Sequence, residues 1–359
     1  MSINWFIDLF VLLFATLILY KAKLVKPSSS FNTEDYISKD TGKSIRGIFA
    51  ISIVLSHLSN NTNSGLLFQK FSVIGAYAVA VFFFLSGYGL QKSYITQKEK
   101  YTKGFLTKRL NSIIIPYIIM IIVYWIASYI GGQNYTLNDI AESFINGKPI
   151  VMFSWYIVSI LFFYIFYWIL MKTCKENYMI MLIFATLWCV LNCVFCHMMN
   201  YDSHWYTSNQ LLVIGMAWAI YEDSILIFFK KNYAKITVFL FGFFFLVFEA
   251  NKYIDNTIIN FALSIILPVL FVFCLLACLL KLKIGNTFVS FLGRISLELY
   301  MTHGLFFILL RGNRIYIHND FLWSVLVLFG SIVCAYLFHI AFNKIKRSMR
   351  KNDLIALQP

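Results

Sequence analysis

An arginine and a histidine with ten residues between them, Arg46 and His57, bound one apolar stretch, R-G-I-F-A-I-S-I-V-L-S-H. Eleven steps of an α-helix are close to three turns, so both side chains fall on one stripe, roughly 16 Å apart along the axis. Ionisable groups are costly inside a bilayer and mark functional sites there. A cation near one membrane face and an imidazole deep in the same span suit an anion site coupled to a proton acceptor. Ser44 reads as an N-cap, which puts Arg46 in the first helical turn, where the dipole favours a bound anion over a lone cation. The plainer reading of Arg46 is a snorkelling anchor, and that of His57 a polar residue bonded to a neighbouring helix. The shared stripe favours a general base at His57.

Other groups repeat the pattern. In S-L-E-L-Y-M-T-H, Ser296, Tyr300 and His303 share a helical face, while Glu298 points elsewhere and is expected toward a bundle interior. His303 is expected at a depth comparable to His57, as a second site histidine or a structural one. Lys108 and Arg109, on the side of Arg46, suit a polyanionic cofactor, because both pair well with phosphate. In V-F-F-F-L-S-G-Y-G-L, Ser86, Gly87 and Gly89 read first as small residues admitting a neighbouring helix, and Ser86 only second as a nucleophile. Trp155 and Tyr156 read as an interfacial aromatic belt. Cys189, Cys193, Cys196 and His197 lack a zinc-like spacing, so no metal is expected. His204, His318 and His339 read as background.

The elements that position these groups are membrane helices. The 359 residues are 60% hydrophobic and 13% charged, with 37 Phe and 22 Tyr. That composition predicts an all-α, polytopic integral membrane helical bundle. Eleven spans are expected, near 4–20, 46–60, 73–91, 111–131, 153–171, 178–197, 208–222, 235–250, 258–280, 289–310 and 321–343. With the N-terminus outside and the C-terminus cytoplasmic, 25 of the 30 Lys and Arg residues fall on the cytoplasmic side. The formal net charge of +14 thus reflects topology, and nucleic acid is not expected as a partner. The N-terminus lacks a basic leader, so the first helix reads as retained. The seven Cys lie mostly in apolar segments, against a disulfide framework. The polar loop 131–152 is expected outside, as a rim. No soluble domain or internal repeat is apparent. A carrier of sugars or lipids remains the competing class; a sensor is disfavoured by short loops.

The chain resembles the membrane-bound acyltransferase-3 family over roughly residues 40–345. The residues that carry the resemblance are Arg46 and His57, F-F-L-S-G-Y at 83–88, the basic loop with Arg109 and Pro116, S-W-Y at 154–156, and E-L-Y-M-T-H at 298–303. Residues 1–30 read as an additional N-terminal helix, 31–345 as the acyltransferase-like domain and 346–359 as a basic cytoplasmic tail. Asn111 and Ser112 stand where a second basic residue is often seen. The resemblance implies O-acylation of an extracytoplasmic polysaccharide or lipid-linked sugar at a bacterial cytoplasmic (inner) membrane, with acetyl-CoA as donor. Arg46, Lys108 and Arg109 would hold its phosphates, His57 would act as base with Glu298, Tyr300 or His303 beside it, and Ser86, Tyr88, Trp155 and Tyr156 would line substrate or pack. Membrane lipids and polysaccharide-assembly proteins are the expected partners. Arg46 and His57 must then serve one continuous space; separate cavities would contradict that path.

Overall fold

A computed structural model describes residues 5–25 and 31–356, with the side chains of residues 6–25 and 31–346. Residues 26–30, in the expected first segment, and the side chains of the expected basic tail beyond 346 lie outside the described residues. The helices run α1 (Leu9–Leu19), α2 (Lys39–Asn60), α3 (Ile74–Gln97), α4 (Glu99–Thr102), α5 (Phe105–Ile130), α6 (Leu137–Ile145) and α7 (Trp155–Thr173). They continue as α8 (Tyr178–Met198), α9 (Gln210–Ile220), α10 (Glu222–Ala250), α11 (Thr257–Leu279), α12 (Thr287–Arg294), α13 (Ser296–Leu310) and α14 (Asp320–Ala356). A two-residue antiparallel ribbon, Lys23–Leu24 with Leu282–Lys283, is the one sheet among the described residues.

The fold is all-α, and the protein is a multi-pass membrane protein. Seven helical stretches are long and apolar enough to cross a bilayer: Phe68–Gln97, Glu99–Ile130, Trp155–Thr173, Tyr178–Met198, Glu222–Ala250, Thr257–Leu279 and Asp320–Lys346. Phe6–Leu19 and Ser296–Leu310 are shorter apolar helices. The expected eleven crossings are not supported. Over 208–222 the structure has α9, only 11 residues. At ~1.5 Å per residue it falls well short of a hydrocarbon core about 30 Å thick. The expected span 289–310 is two helices, broken at Ile295. The expected span 235–250 is the second part of α10, after a kink at Asn232.

α2 is the axis of the bundle. It is buried along nearly its whole length, with only short stretches of its surface left open. Its cap is Ser38, whose side chain accepts from the Thr41 N–H, with Asp40 in the first turn. Ser44 is not the cap: its hydroxyl meets Ser290 at 3.0 Å. Arg46 therefore sits beyond the first turn, and the helix dipole does not act on it as expected. α12 crosses α2 so closely that a Cβ on Gly47 would lie 1.9 Å from the Val289 carbonyl. α3 and α9 meet likewise at Gly87, where a Cβ would lie 1.9 Å from the Leu212 carbonyl. The small-residue reading holds at Gly87, whereas Gly89 faces open space.

Candidate active site

Two cavities flank α2, one toward Arg46 and one toward His57. The Arg46 cavity measures about 350 Å³ and is lined by Arg46, Arg109, Ser86, Ser93, Tyr156, Tyr164, Ser296, Tyr300 and apolar side chains. No carboxylate lines it. Arg109 donates to the Tyr101 hydroxyl at 2.9 Å and stands over the Tyr164 ring, 5.9 Å from its centre. Among the described residues neither arginine is in an ion pair. Two half-buried guanidinium groups without a counter-charge are costly, so the chemistry of this lining would suit an anion. Lys108 does not line it; that side chain is exposed.

The His57 cavity is larger, about 980 Å³, and polar at its edge. Asn60, Asn61, Trp155, His204, Asp139, Glu142, Lys148, Asp202 and Arg311 are among its lining residues. The loop 131–152 supplies part of this rim, through Gln133, Tyr135 and the helix α6. His204, in the turn Ser203–Trp205, packs on Trp155 with ring centres 5.0 Å apart. Burial pushes its imidazole below the ordinary value, and nearby Asp202 opposes that shift.

The His57 ring is held by stacking. Phe153 lies 3.7 Å from it, centre to centre, at 20°. His303 lies 5.3 Å away at 21°. Phe153 has φ +63°, a backbone state that costs an ordinary residue about 1–3 kcal/mol and that clusters at functional sites. Two bonds hold it there: the Tyr300 hydroxyl donates to the Phe153 carbonyl, and the Tyr117 and Ser154 hydroxyls meet at 2.7 Å. His303 is fully buried, with Nδ1 3.2 Å from the Leu299 carbonyl and Nε2 unpartnered. That bond assigns the proton to Nδ1 and leaves Nε2 as a bare lone pair. His57 and His303 thus lie side by side.

Several expected placements are corrected. Arg46 and His57 do not open into one continuous space; each serves its own cavity, and Tyr300 is the one residue named that lines both. Glu298 does not line the His57 cavity. Its carboxylate pairs with His339 Nδ1 at 2.9 Å, and Asn343 meets His339 Nε2 at 2.9 Å. Trp155 and Tyr156 are not a belt facing lipid: Trp155 lines the His57 cavity and Tyr156 the Arg46 cavity. Tyr88 donates to Glu222 at 2.8 Å, beside Tyr36 at 2.6 Å and Lys92 at 2.5 Å, in a polar cluster around the buried Glu222 outside both cavities. Ser86 lines the Arg46 cavity, 3.3 Å from the Tyr156 hydroxyl, with no base beside it to make it a nucleophile. Tyr164 and Phe153 are site residues that the sequence reading missed.

A family model described as an acyltransferase domain, acyltransferase-3, matches residues 43–340, well over half of the chain. The protein belongs to the acyltransferase-3 family. Neither a curated protein nor a solved structure gives a match. Membership makes this acyltransferase an enzyme and sets aside the reading as a carrier without chemistry. Both cavities lie within the matched part, and the first helix precedes it. The seven cysteines of the acyltransferase are free, and no group of three or more His, Cys, Asp or Glu able to hold a metal occurs among the described residues.

Proposed function

We propose that this acyltransferase moves an acetyl group from cytoplasmic acetyl-CoA to a hydroxyl of an extracytoplasmic polysaccharide or lipid-linked sugar, in a bacterial cytoplasmic membrane. The observation that carries the reading is the arrangement along α2: an arginine-lined cavity with no carboxylate at one end, and an imidazole opening into a large polar cavity at the other. The phosphates of the donor would pair with Arg46 and Arg109 by charge-assisted hydrogen bonds. Lys108, exposed beside them, would add only long-range attraction. The acceptor sugar would enter from the His57 side, where asparagines, carboxylates and Trp155 offer the polar and aromatic contacts that a carbohydrate needs.

The two ends must meet for chemistry to occur, and Tyr300 stands between them. The cavities are separate in this structure, so the path requires Tyr300 to move aside and let the thioester arm through. His57 then takes the proton of the acceptor hydroxyl as its oxygen attacks the thioester carbonyl. The carbon–sulfur bond breaks, the sulfur leaves as a thiolate, and the imidazolium returns its proton to that sulfur. General-base assistance of this kind is worth roughly 10²–10⁴-fold. The stack with Phe153 and His303 would hold the imidazole plane while leaving its edge in the cavity. Transfer through an acyl-histidine is a second path compatible with the same groups.

Radiolabelled acetyl-CoA, supplied to membranes carrying the protein and its glycans, tests the reading. Label incorporated into an alkali-labile ester on glycan supports it. No incorporation by the wild-type chain, with the donor intact, overturns it.

A further inference from the structure

The first helix precedes the part of the chain that the family accounts for, yet Asp8 at its start is bonded to the segment that leads into the lining of the His57 cavity. We propose that Asp8 is a positioning residue that holds the rim of this cavity through segment 61–73, an inference that rests on reading the cavity as the acceptor site. Asp8 is 9% exposed, at the junction of the short turn Trp5–Asp8 and α1. Its carboxylate accepts three consecutive backbone N–H groups. Oδ1 accepts from Leu67 at 3.1 Å and Phe68 at 2.8 Å, and Oδ2 from Leu66 at 3.2 Å. Phe68 opens the 3₁₀ helix Phe68–Val73, Leu67 is its N-cap and Leu66 precedes it, so the carboxylate sits at the helix start, where N–H groups lack acceptors within the helix. A negative charge at that end is also favoured by the aligned peptide dipoles.

The approach is too close for a side chain. Gly65 has φ +81°, and a Cβ there would lie 2.4 Å from Ile7 Cγ2 and 2.7 Å from Asp8 Oδ1. From this anchor the segment runs to Ser72, whose carbonyl accepts from Ser56 Oγ at 3.0 Å and Asn60 Nδ2 at 3.3 Å. Ser56, Asn60 and Ser72 all line the cavity with His57. A second carboxylate holds the segment from α14: Asp320 accepts from the Asn63 N–H at 3.2 Å and the Ser64 hydroxyl at 2.7 Å, and pairs with Arg311 at 2.6 Å. The rim is therefore clamped by two carboxylates. The other end of α1 is fixed as well, because Asn286 Nδ2 donates to the Leu17 carbonyl at 2.9 Å. Asn286 caps α12, the helix pressed against α2 beside Arg46.

The test uses the full-length protein in membranes, with Asp8→Ala or Asp8→Asn combined with either Ser72→Cys or Ser93→Cys. N-ethylmaleimide labelling of the introduced thiol is followed peptide by peptide by mass spectrometry. With Asp8→Ala the labelling rate should rise several-fold at Ser72→Cys and stay unchanged at Ser93→Cys, which lies in the Arg46 cavity. Asp8→Asn, whose Oδ1 still accepts from Leu67 and Phe68, should fall between. Acetyl incorporation should drop in step with the loosened rim. An unchanged rate at Ser72→Cys, or an equal rise at both positions, overturns the proposal; the equal rise is what general unfolding gives. The labelling needs no acyl transfer, so a wild-type chain that transfers nothing defeats the acetyl-transfer reading alone.

Discussion

The two cavities along α2 differ in kind. The Arg46 cavity is small, about 350 Å³, and is dominated by guanidinium groups and tyrosines without an opposing carboxylate. The His57 cavity is nearly three times as large, about 980 Å³, and mixes carboxylates, amides, a lysine and aromatic rings. A confined space with charge of one sign suits one invariant ligand feature, such as a phosphate. A wide, mixed lining suits a ligand that presents many hydroxyls and varies in shape. The asymmetry is what a two-substrate transfer requires, with one substrate held by charge and the other by shape and hydrogen bonds.

Substitutions at the two ends should separate along this line. The largest effect is expected for His57→Ala, with transfer reduced by roughly 10²–10⁴-fold while donor binding and protein abundance persist. A near-normal rate of label transfer would remove the base from the His57 end. Next comes Arg46→Ala. The lost charge-assisted contacts, about 1.5–3 kcal/mol each, should raise the donor KM about ten- to a hundred-fold with kcat largely retained. A change in acceptor KM alone would reverse the assignment of the two cavities.

Smaller effects belong to the wall between them. Tyr300→Phe removes the bond to the Phe153 carbonyl, about 1 kcal/mol, and should slow turnover roughly fivefold. Tyr300→Ala should join the two spaces and raise hydrolysis of acetyl-CoA in the absence of acceptor. Hydrolysis at the wild-type level would show that Tyr300 is not the partition. The smallest effect is expected at His204, where burial lowers the proton affinity of the folded state. The unfolded chain then binds the proton first, so this histidine withdraws stability as pH falls through about 6.5. His204→Gln should make the acid-side fall in thermal midpoint shallower than in the wild type. An identical slope would show that His204 does not contribute.

The Arg46–His57 stripe was legible because helical period depends on local geometry alone. The start of the same helix was not. The apolar run begins near Ile45, and that onset hid two polar turns from Lys39, capped by Ser38. The count of crossings erred for a related reason: apolar runs were equated with spans, although α9 is short and Ile295 breaks the run from 289 to 310. Spacing placed Glu298 off the face of Tyr300 and His303, but its partner, His339, lies 41 residues further along, and no local rule pairs them. Tyr164 had a readable signal, since Tyr156, Ile160 and Tyr164 recur every four residues and line one cavity. Phe153 had none; its role comes from a positive φ held by tertiary bonds, Tyr300 to its carbonyl and Tyr117 to Ser154.

Because Arg46 and His57 ride on a single buried rod, neither can be shifted without dragging the other. New acceptors must therefore be accommodated by walls that do not belong to this rod, chiefly α6 and the segment around Asp202 and His204. Diversification at one substrate can then proceed with little disturbance at the other, so long as the rod keeps its register.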